Sequence, residues 1–370
     1  MTKARTNASA SPAVGRNMII NGAMNVAQRS ASVTGIGASA GYFTCDRWQI
    51  NLGATSAGRF TMTQTSDGPN GISANCIKLD CTTADASIAA GERLSLGHNI
   101  EGQNLQRIGK GVAGAQQITV SFYVKASASF TFGVELYDQD AGRQITKLFD
   151  TTTDWVRHEF TLPADLDDGS SPFDDDNAVS LSMFFWLHAG SNSTSGTLNT
   201  AAWANDGTST RAAGIDSFFS STDNNFFLTG VQLEVGPVAT EFEQEDIGVT
   251  LAKCQRYFQK FTSVGANYQR YGGGLNYSTT ASATIINLIT TMRASPALGQ
   301  TGTAANYAIN HNADTVTALS AVPVIAAVID NPTTLVGVTC TVGSGLDAGD
   351  FGMLCSNNNA TSFLSFDAEL

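Results

Sequence analysis

Six aspartates crowd the stretch from Asp165 to Asp176, DLDDGSSPFDDD. Carboxylates gathered on a turn supply the hard oxygen ligands that calcium takes, about six to eight per ion. Asp167, Asp168, Asp174, Asp175 and Asp176 are therefore candidate ligands for a structural calcium, although their spacing is not that of an EF-hand loop. A solvated acidic loop that binds nothing explains the same run and is the simpler reading. No other cofactor is expected. Flat aromatic faces are a second class, because sugar rings stack on them while Asp, Asn and Gln bind the hydroxyls. Trp186, Trp203, Tyr268, Tyr271 and Tyr277 are candidate ligand contacts on that ground. Trp186 stands opposite an apolar strand stripe, Trp203 lies in the loop TLNTAAWANDGTST, and the tyrosines lie in NYQRYGGGLNYS. Core packing or an oligomer interface draws on the same residue types and is the commoner use.

Catalytic patterns are weaker. Gly37 to Gly41, GASAG, fits GxSxG. A nucleophile elbow needs a strand before the serine and a helix after it, and here a glycine-rich loop precedes it. His98, His158, His188 and His311 are scattered, with no HExxH or H-x-x-x-H pattern. Nothing in the sequence selects a carboxylate pair for glycoside hydrolysis. The expectation is a protein that is not an enzyme.

The elements that must position these residues are strands. Ile118, Val120, Phe122 and Val124 alternate with Thr119, Ser121, Tyr123 and Lys125, the period-two pattern of a half-buried strand. Phe130 to Leu136, Val156 to Leu162, and Val179 to Leu187 repeat it, and Phe226 to Val235 closes the set before Gly236 and Pro237. Thr44 to Asn51 and Cys76 to Cys81 add shorter candidates. The whole reads as an antiparallel jelly-roll sandwich resembling a carbohydrate module. Ile247, Leu251, Cys254 and Phe258 then form a helical stripe, with acidic residues before it and Lys253 and Arg256 late. Further short strands follow to the end. The expected organisation is an N-terminal arm (1–41), a central jelly roll (42–241), a linker helix (242–261) and a smaller C-terminal β-domain (262–370).

Composition narrows the class. A length of 370 residues suggests two or three domains. Charged residues are 14% of the chain, against roughly 25% in ordinary soluble domains. Glycine, with 36 residues, and small polar groups fill the gap, as in packed all-β assemblies. The net charge of −12 argues against a nucleic-acid partner, since phosphate contacts need clustered Lys and Arg. No run approaches the roughly 18 apolar residues of a membrane span, so no membrane insertion is expected. The start MTKARTNASASPAVG has no apolar core of a signal peptide, which implies synthesis and folding in a cytoplasm. The six cysteines show no CxxC pair or zinc spacing and read as buried thiols.

Three segments carry a family resemblance. Gly230 to Gly236 (GVQLEVG), followed by Ala239 to Glu243 (ATEFE) and Cys254 to Phe258 (CQRYF), resembles a junction found in tail-fibre and related virion-surface proteins of tailed bacteriophages. Gly15 to Ser30, GRNMIINGAMNVAQRS, resembles their N-terminal signature. Thr291 to Gly299, TMRASPALG, and the terminal FDAEL resemble motifs of their C-terminal domain. The resemblance implies a virion protein, most simply a homotrimeric tail fibre or spike. Its N-terminal arm would attach to other virion proteins, and its outer domains would touch a host-surface glycan or protein. Two alternatives stay open: a capsid-decoration or tail-adaptor protein, and a glycan depolymerase.

Overall fold

The computed structural model describes residues 15–54, 56–166, 172–265, 267–312, 314–326 and 333–370. They form two compact units, one ending at Thr250 and also holding Leu370, the other spanning Leu251–Glu369. No helix among the described residues is long and apolar enough to cross a membrane.

The first unit is a jelly-roll β-sandwich. In chain order its strands are β1 (Ser32–Ile36), β2 (Gly41–Tyr42), β3 (Gln49–Gly53), β4 (Arg59–Thr65), β5 (Cys76–Thr83), β6 (Arg93–Glu101) and β7 (Ile118–Ala126). There follow β8 (Thr131–Asp138), β9 (Arg143–Asp150), β10 (Val156–Leu162), β11 (Val179–Ala189), β12 (Ala204–Asn205) and β13 (Asn225–Val235). One sheet has the order β1-β4-β5-β13-β7-β10, and the other β12-β9-β8-β11-β6-β3-β2. Their inner faces interdigitate through aromatic rings. Phe122 of β7 meets Phe149 of β9 and Phe185 of β11, each at 5.0 Å between centroids. Phe132 of β8 meets Phe226 of β13 edge-on at 5.6 Å. Edge-to-face pairs of this kind add about 0.5–1.5 kcal/mol each beyond buried area.

The strand β13 does not alternate uniformly. Phe226 and Leu228 are buried, and so are Val231 and Leu233, so the phase changes midway. The register against β7 shifts between Thr229 and Gln232, and Gly230 there has φ of +60°. This is a glycine bulge. It receives the N-terminal segment: Val231 N donates to Gly22 O at 3.0 Å, and Met18 N donates to Leu233 O at 2.9 Å. A Cβ on Gly22 would lie 2.1 Å from Val231 O, so only glycine fits.

Residues 15–41 are therefore not an arm, contrary to the sequence expectation. Met18, Ile19, Met24 and Val26 are buried in the sandwich, and β1 pairs with β4. Asn17 and Asn21 fix the segment with side chain–backbone bonds instead of a periodic apolar face. Asn17 Oδ1 accepts from Leu233 N at 3.1 Å, and Asn21 Nδ2 donates to Val26 O at 2.9 Å. The other signature segment completes the lock, because Glu243 accepts from Asn17 N at 2.8 Å while its own N donates to Gln232 Oε1 at 2.8 Å. The two motif segments are thus one structure.

The helix α2 (Ile247–Gln255), which follows a single turn α1 (Ser191–Thr194), crosses the boundary between the units. It is shorter than the expected 242–261 linker. Cys254 is buried and Ile247 is 54% exposed, while Phe258 already opens the strand Phe258–Thr262. That strand belongs to a three-stranded sheet with Phe363–Asp367 and Ala297–Gln300. The second unit packs this sheet and a seven-stranded one around Tyr271, Ile286, Tyr307, Val338, Leu354 and Phe366.

Candidate functional site

The outer face of the sheet β9-β8-β11-β6-β3 carries the chemistry. Leu181, Met183, Phe185 and Leu187 of β11 point into the core and are buried, so Ser182, Phe184 and Trp186 point outward. Their cross-strand partners on β8 are Tyr137, Glu135 and Gly133. On β6 they are Asn99, Gly97 and Ser95, and Asn51 of β3 lies opposite Ser95. Glycine at 97 makes room: a Cβ there would lie 3.0 Å from Phe184 Cδ1 and 2.5 Å from Asn51 Nδ2.

Arg211, from the loop after β12, closes over this floor. Its guanidinium carbon lies 4.3 Å from the Tyr137 ring centroid, 5.3 Å from Trp186 and 5.8 Å from Phe184. Its Nε and Nη2 donate to the two oxygens of Glu135 at 2.8 and 2.9 Å. Trp186 Nε1 donates to Glu135 Oε2 at 2.7 Å, and Tyr137 OH donates to Asp206 Oδ2 at 3.0 Å. Burial pushes the Glu135 carboxyl up, against the pull of Arg211 and Trp186. Burial also raises Tyr137, with the Asp206 hydrogen bond adding to it. For Arg211 burial acts downward, but the Glu135 bonds and charge outweigh it, and its pKa is raised.

Above the platform lies an open cleft of about 230 Å³. Tyr137, Phe184, Trp186 and Arg211 form one side, and Asn51, Arg93, Ser95 and Gln139 the rest. No Asp or Glu among the described residues lines it. The two carboxylates that glycoside hydrolysis requires are not assembled there. The cleft offers features that suit binding: flat rings, amide and guanidinium donors, and a strand scaffold.

Of the aromatic candidates, Trp186 is in the cleft, but 2% exposed under Arg211. It braces the platform, and the half-buried rings of Phe184 and Tyr137 are the accessible ones. Trp203 packs on the sandwich core and donates from Nε1 to Pro163 O at 2.9 Å. Tyr271 is a correction: it sits in the core of the second unit at 9% exposure, its hydroxyl 2.7 Å from Ser362 Oγ, with no face left for a ligand. Tyr268 and Tyr277 of the same unit are exposed.

Among the acidic candidates, Asp167 and Asp168 lie outside the described residues. Asp174, Asp175 and Asp176 are exposed, and Asp176 Oδ1 accepts from Ala178 N at 2.8 Å as a local turn bond. Asp165 is taken by Arg143, at 2.8 and 2.9 Å. Among the described residues no group of three metal-ligating side chains converges. Ser39 of GASAG is exposed on a bend leading into β2, not at an elbow. The histidines serve structure. His158 Nε2 lies 2.9 Å from Asp150 O, and His311 Nε2 lies 2.9 Å from Thr317 Oγ1. His188 sits 2.8 Å from Ser217 Oγ, and burial holds His98 well below the usual imidazole range.

Sequence reading missed Arg211, Glu135, Tyr137, Phe184 and Arg93. The available signal was the pair of outward aromatics on β11, together with Glu135 and Tyr137 at outward positions of β8. Nothing local marks Arg211, which arrives from a loop.

Neither a known family model nor a curated protein sequence matches the chain. Solved structures overlap with it in part. The enzymatically active domain of bacteriophage CBA120 tailspike protein 4 has a TM-score of 0.32 and 11% identity, over 60% of this chain and 22% of that one. The chain thus matches about a fifth of the tailspike's length. TmCBM61, in complex with β-1,4-galactotriose, has a TM-score of 0.29 and 10% identity over 60% of this chain and 100% of that one. The family 11 carbohydrate-binding module of cellulase Lic26A-Cel5E from Clostridium thermocellum has a TM-score of 0.27 and 12% identity, over 57% and 100%. Overlaps of this size say nothing of ligand or activity.

Proposed function

We propose that this chain is a non-enzymatic virion-surface protein of a tailed bacteriophage that binds glycans of the host surface, a homotrimeric fibre or spike component. The observation that carries the binding role is the open cleft on a rigid sheet, floored by Phe184 and Tyr137 and braced by the Arg211–Glu135 pair. Aromatic rings beside fixed polar donors suit sugars, which present an apolar face and a rim of hydroxyls. The virion role is supported by the motif segments. Multivalent display would turn weak single-site binding into firm adhesion.

Self-association is supported by the outer face of the second unit's large sheet. Leu275, Ile285, Val324 and Phe351 are 54, 45, 51 and 63% exposed there, and Leu275 stands directly opposite Phe351 across the strands. An exposed apolar sheet face of this kind marks an interaction surface.

The test is the solution mass of the purified chain together with binding to an array of host-envelope glycans and gold labelling of intact particles. A trimer that binds glycans, loses them on Phe184→Ala and labels the tail is the expected result. A monomer, or binding that ignores Phe184→Ala, would overturn the corresponding part. Label spread over the head would point to capsid decoration instead.

A further inference from the structure

The cleft presents donors that its neighbours leave unused. Glu135, beneath the platform, is engaged by Arg211 and by Trp186, so it offers little to a ligand. Gln139 Nε2 is taken by Ser182 Oγ at 2.9 Å. Arg93 is different. It is exposed at the rim, and its guanidinium makes no ion pair or hydrogen bond among the described residues. Its side chain lies across Gly53, its partner on β3, where a Cβ would come within 2.5 Å of Nε. The missing side chain at 53 is what lets the arginine lie along the cleft. Asn51 Nδ2 is buried in the same lining and donates to nothing among the described residues. Leaving a buried donor unpaired is costly, and a ligand's acceptor would offset that cost.

Charge points the same way. The chain carries −12, yet among the described residues the cleft is lined by Arg93 and Arg211 and by no carboxylate. Glu135 neutralises Arg211, so the uncompensated charge is that of Arg93. A neutral sugar could use the few neutral acceptors of this lining, the Asn51 and Gln139 amide oxygens and the Ser95 and Tyr137 hydroxyls, but it would leave the Arg93 charge unanswered. A carboxylate brings acceptors alone, in the planar geometry that a guanidinium grips through two bonds.

Resting on the glycan-binding reading above, we infer that the cleft takes an acidic glycan, a sugar carrying a carboxylate, with Arg93 as the residue that reads the charge and Asn51 as a second donor. Arg93 is a specificity determinant, and the aromatic floor holds the ring.

The test uses the full chain in titration calorimetry. Oligohexuronates and oligosialates are each compared with their carboxyl-reduced, neutral counterparts at low and physiological salt. The expected result is at least tenfold tighter binding of the acidic form, weakening as salt rises, with the preference abolished by Arg93→Gln while the melting temperature stays unchanged. Asn51→Ala should weaken acidic binding without disturbing the fold. Equal binding of both forms, neutral-only binding, or a preference that survives Arg93→Gln overturns the charge assignment and leaves the glycan reading standing. Binding of neither form by folded protein overturns both. Inorganic sulfate is titrated alongside, and a sulfate site that no acidic glycan displaces also overturns the assignment.

Discussion

Glu135 and Arg211 face each other in a two-bond clasp, and the carboxylate side chain has no exposed surface while the arginine keeps 14%. The charge pair therefore sits at the edge of water, with its negative member sealed beneath its positive one. Removing one member of a buried pair leaves the other charged and unsolvated. Arg211→Ala should destabilise the first unit by roughly 3–5 kcal/mol. Glu135→Met with Arg211→Met should cost much less, because both charges go together. Denaturant titration of the three proteins checks this, and equal costs for the single and double variants would count against the clasp.

Gly22 sits where no side chain fits. Gly22→Ala would drive its Cβ against Val231 O, now 2.1 Å from that position, and backbone on both sides has little room to yield. The expected loss is roughly 1–3 kcal/mol, typical of overpacking. Gly343→Ala, where nothing lies within 4 Å, is the control and should be near neutral in thermal melts.

Asp85 sets an acid limb. Its carboxylate accepts from Ser56 Oγ at 2.6 Å, Ser87 N at 3.0 Å and Ala57 N at 2.8 Å, which lowers its pKa to about 2. An unfolded aspartate titrates near about 3.9. Because the folded value is the lower one, this contribution is present above about pH 4 and is lost as pH falls toward 2. Asp85→Asn should be less stable at neutral pH and should lose less between pH 4 and pH 2. Parallel slopes for the two proteins in that window would remove Asp85 from the account.

The six cysteines are all buried thiols. Burial is the leading cause that pushes Cys340 up to about 12 and Cys76 and Cys355 up to about 11. Thiolate, the reactive form, is scarce under such conditions. A thiol reagent at pH 8 should label none of them in minutes on the native protein, and all six in denaturant. Fast labelling of the native chain would show that a core opens locally.

Much of the β architecture was legible because strands such as β7 and β11 alternate in residue type, with Ile118, Val120, Phe122 and Val124 on one face of β7 and Thr119, Ser121, Tyr123 and Lys125 on the other. The strands β4, β6 and β9 were not, for a physical reason visible in β6. Residues Leu94–Glu101 are all buried, and the inward series Leu94, Leu96, Ile100 is interrupted by His98 while the outward one holds Gly97, so the apolar run is too short to mark a strand. The N-terminal segment was misread as an arm because asparagine side chains, not periodic apolar ones, hold it. In the cleft, Trp186 was found by its outward position. Its burial was not, since the residue that covers it, Arg211, comes from a loop 25 positions on.

The lock between Asn17 and Glu243 joins residues 226 positions apart. On the ribosome, the opening segment must therefore wait through nearly the whole first unit before its partner emerges. Contacts of such long range slow folding. During that delay Met18, Ile19 and Met24, buried in the finished sandwich, have no permanent cover. The seat beside Gly230 and the Glu243 carboxylate emerge late, and a chain cut short before them would leave residues 17–24 without these partners.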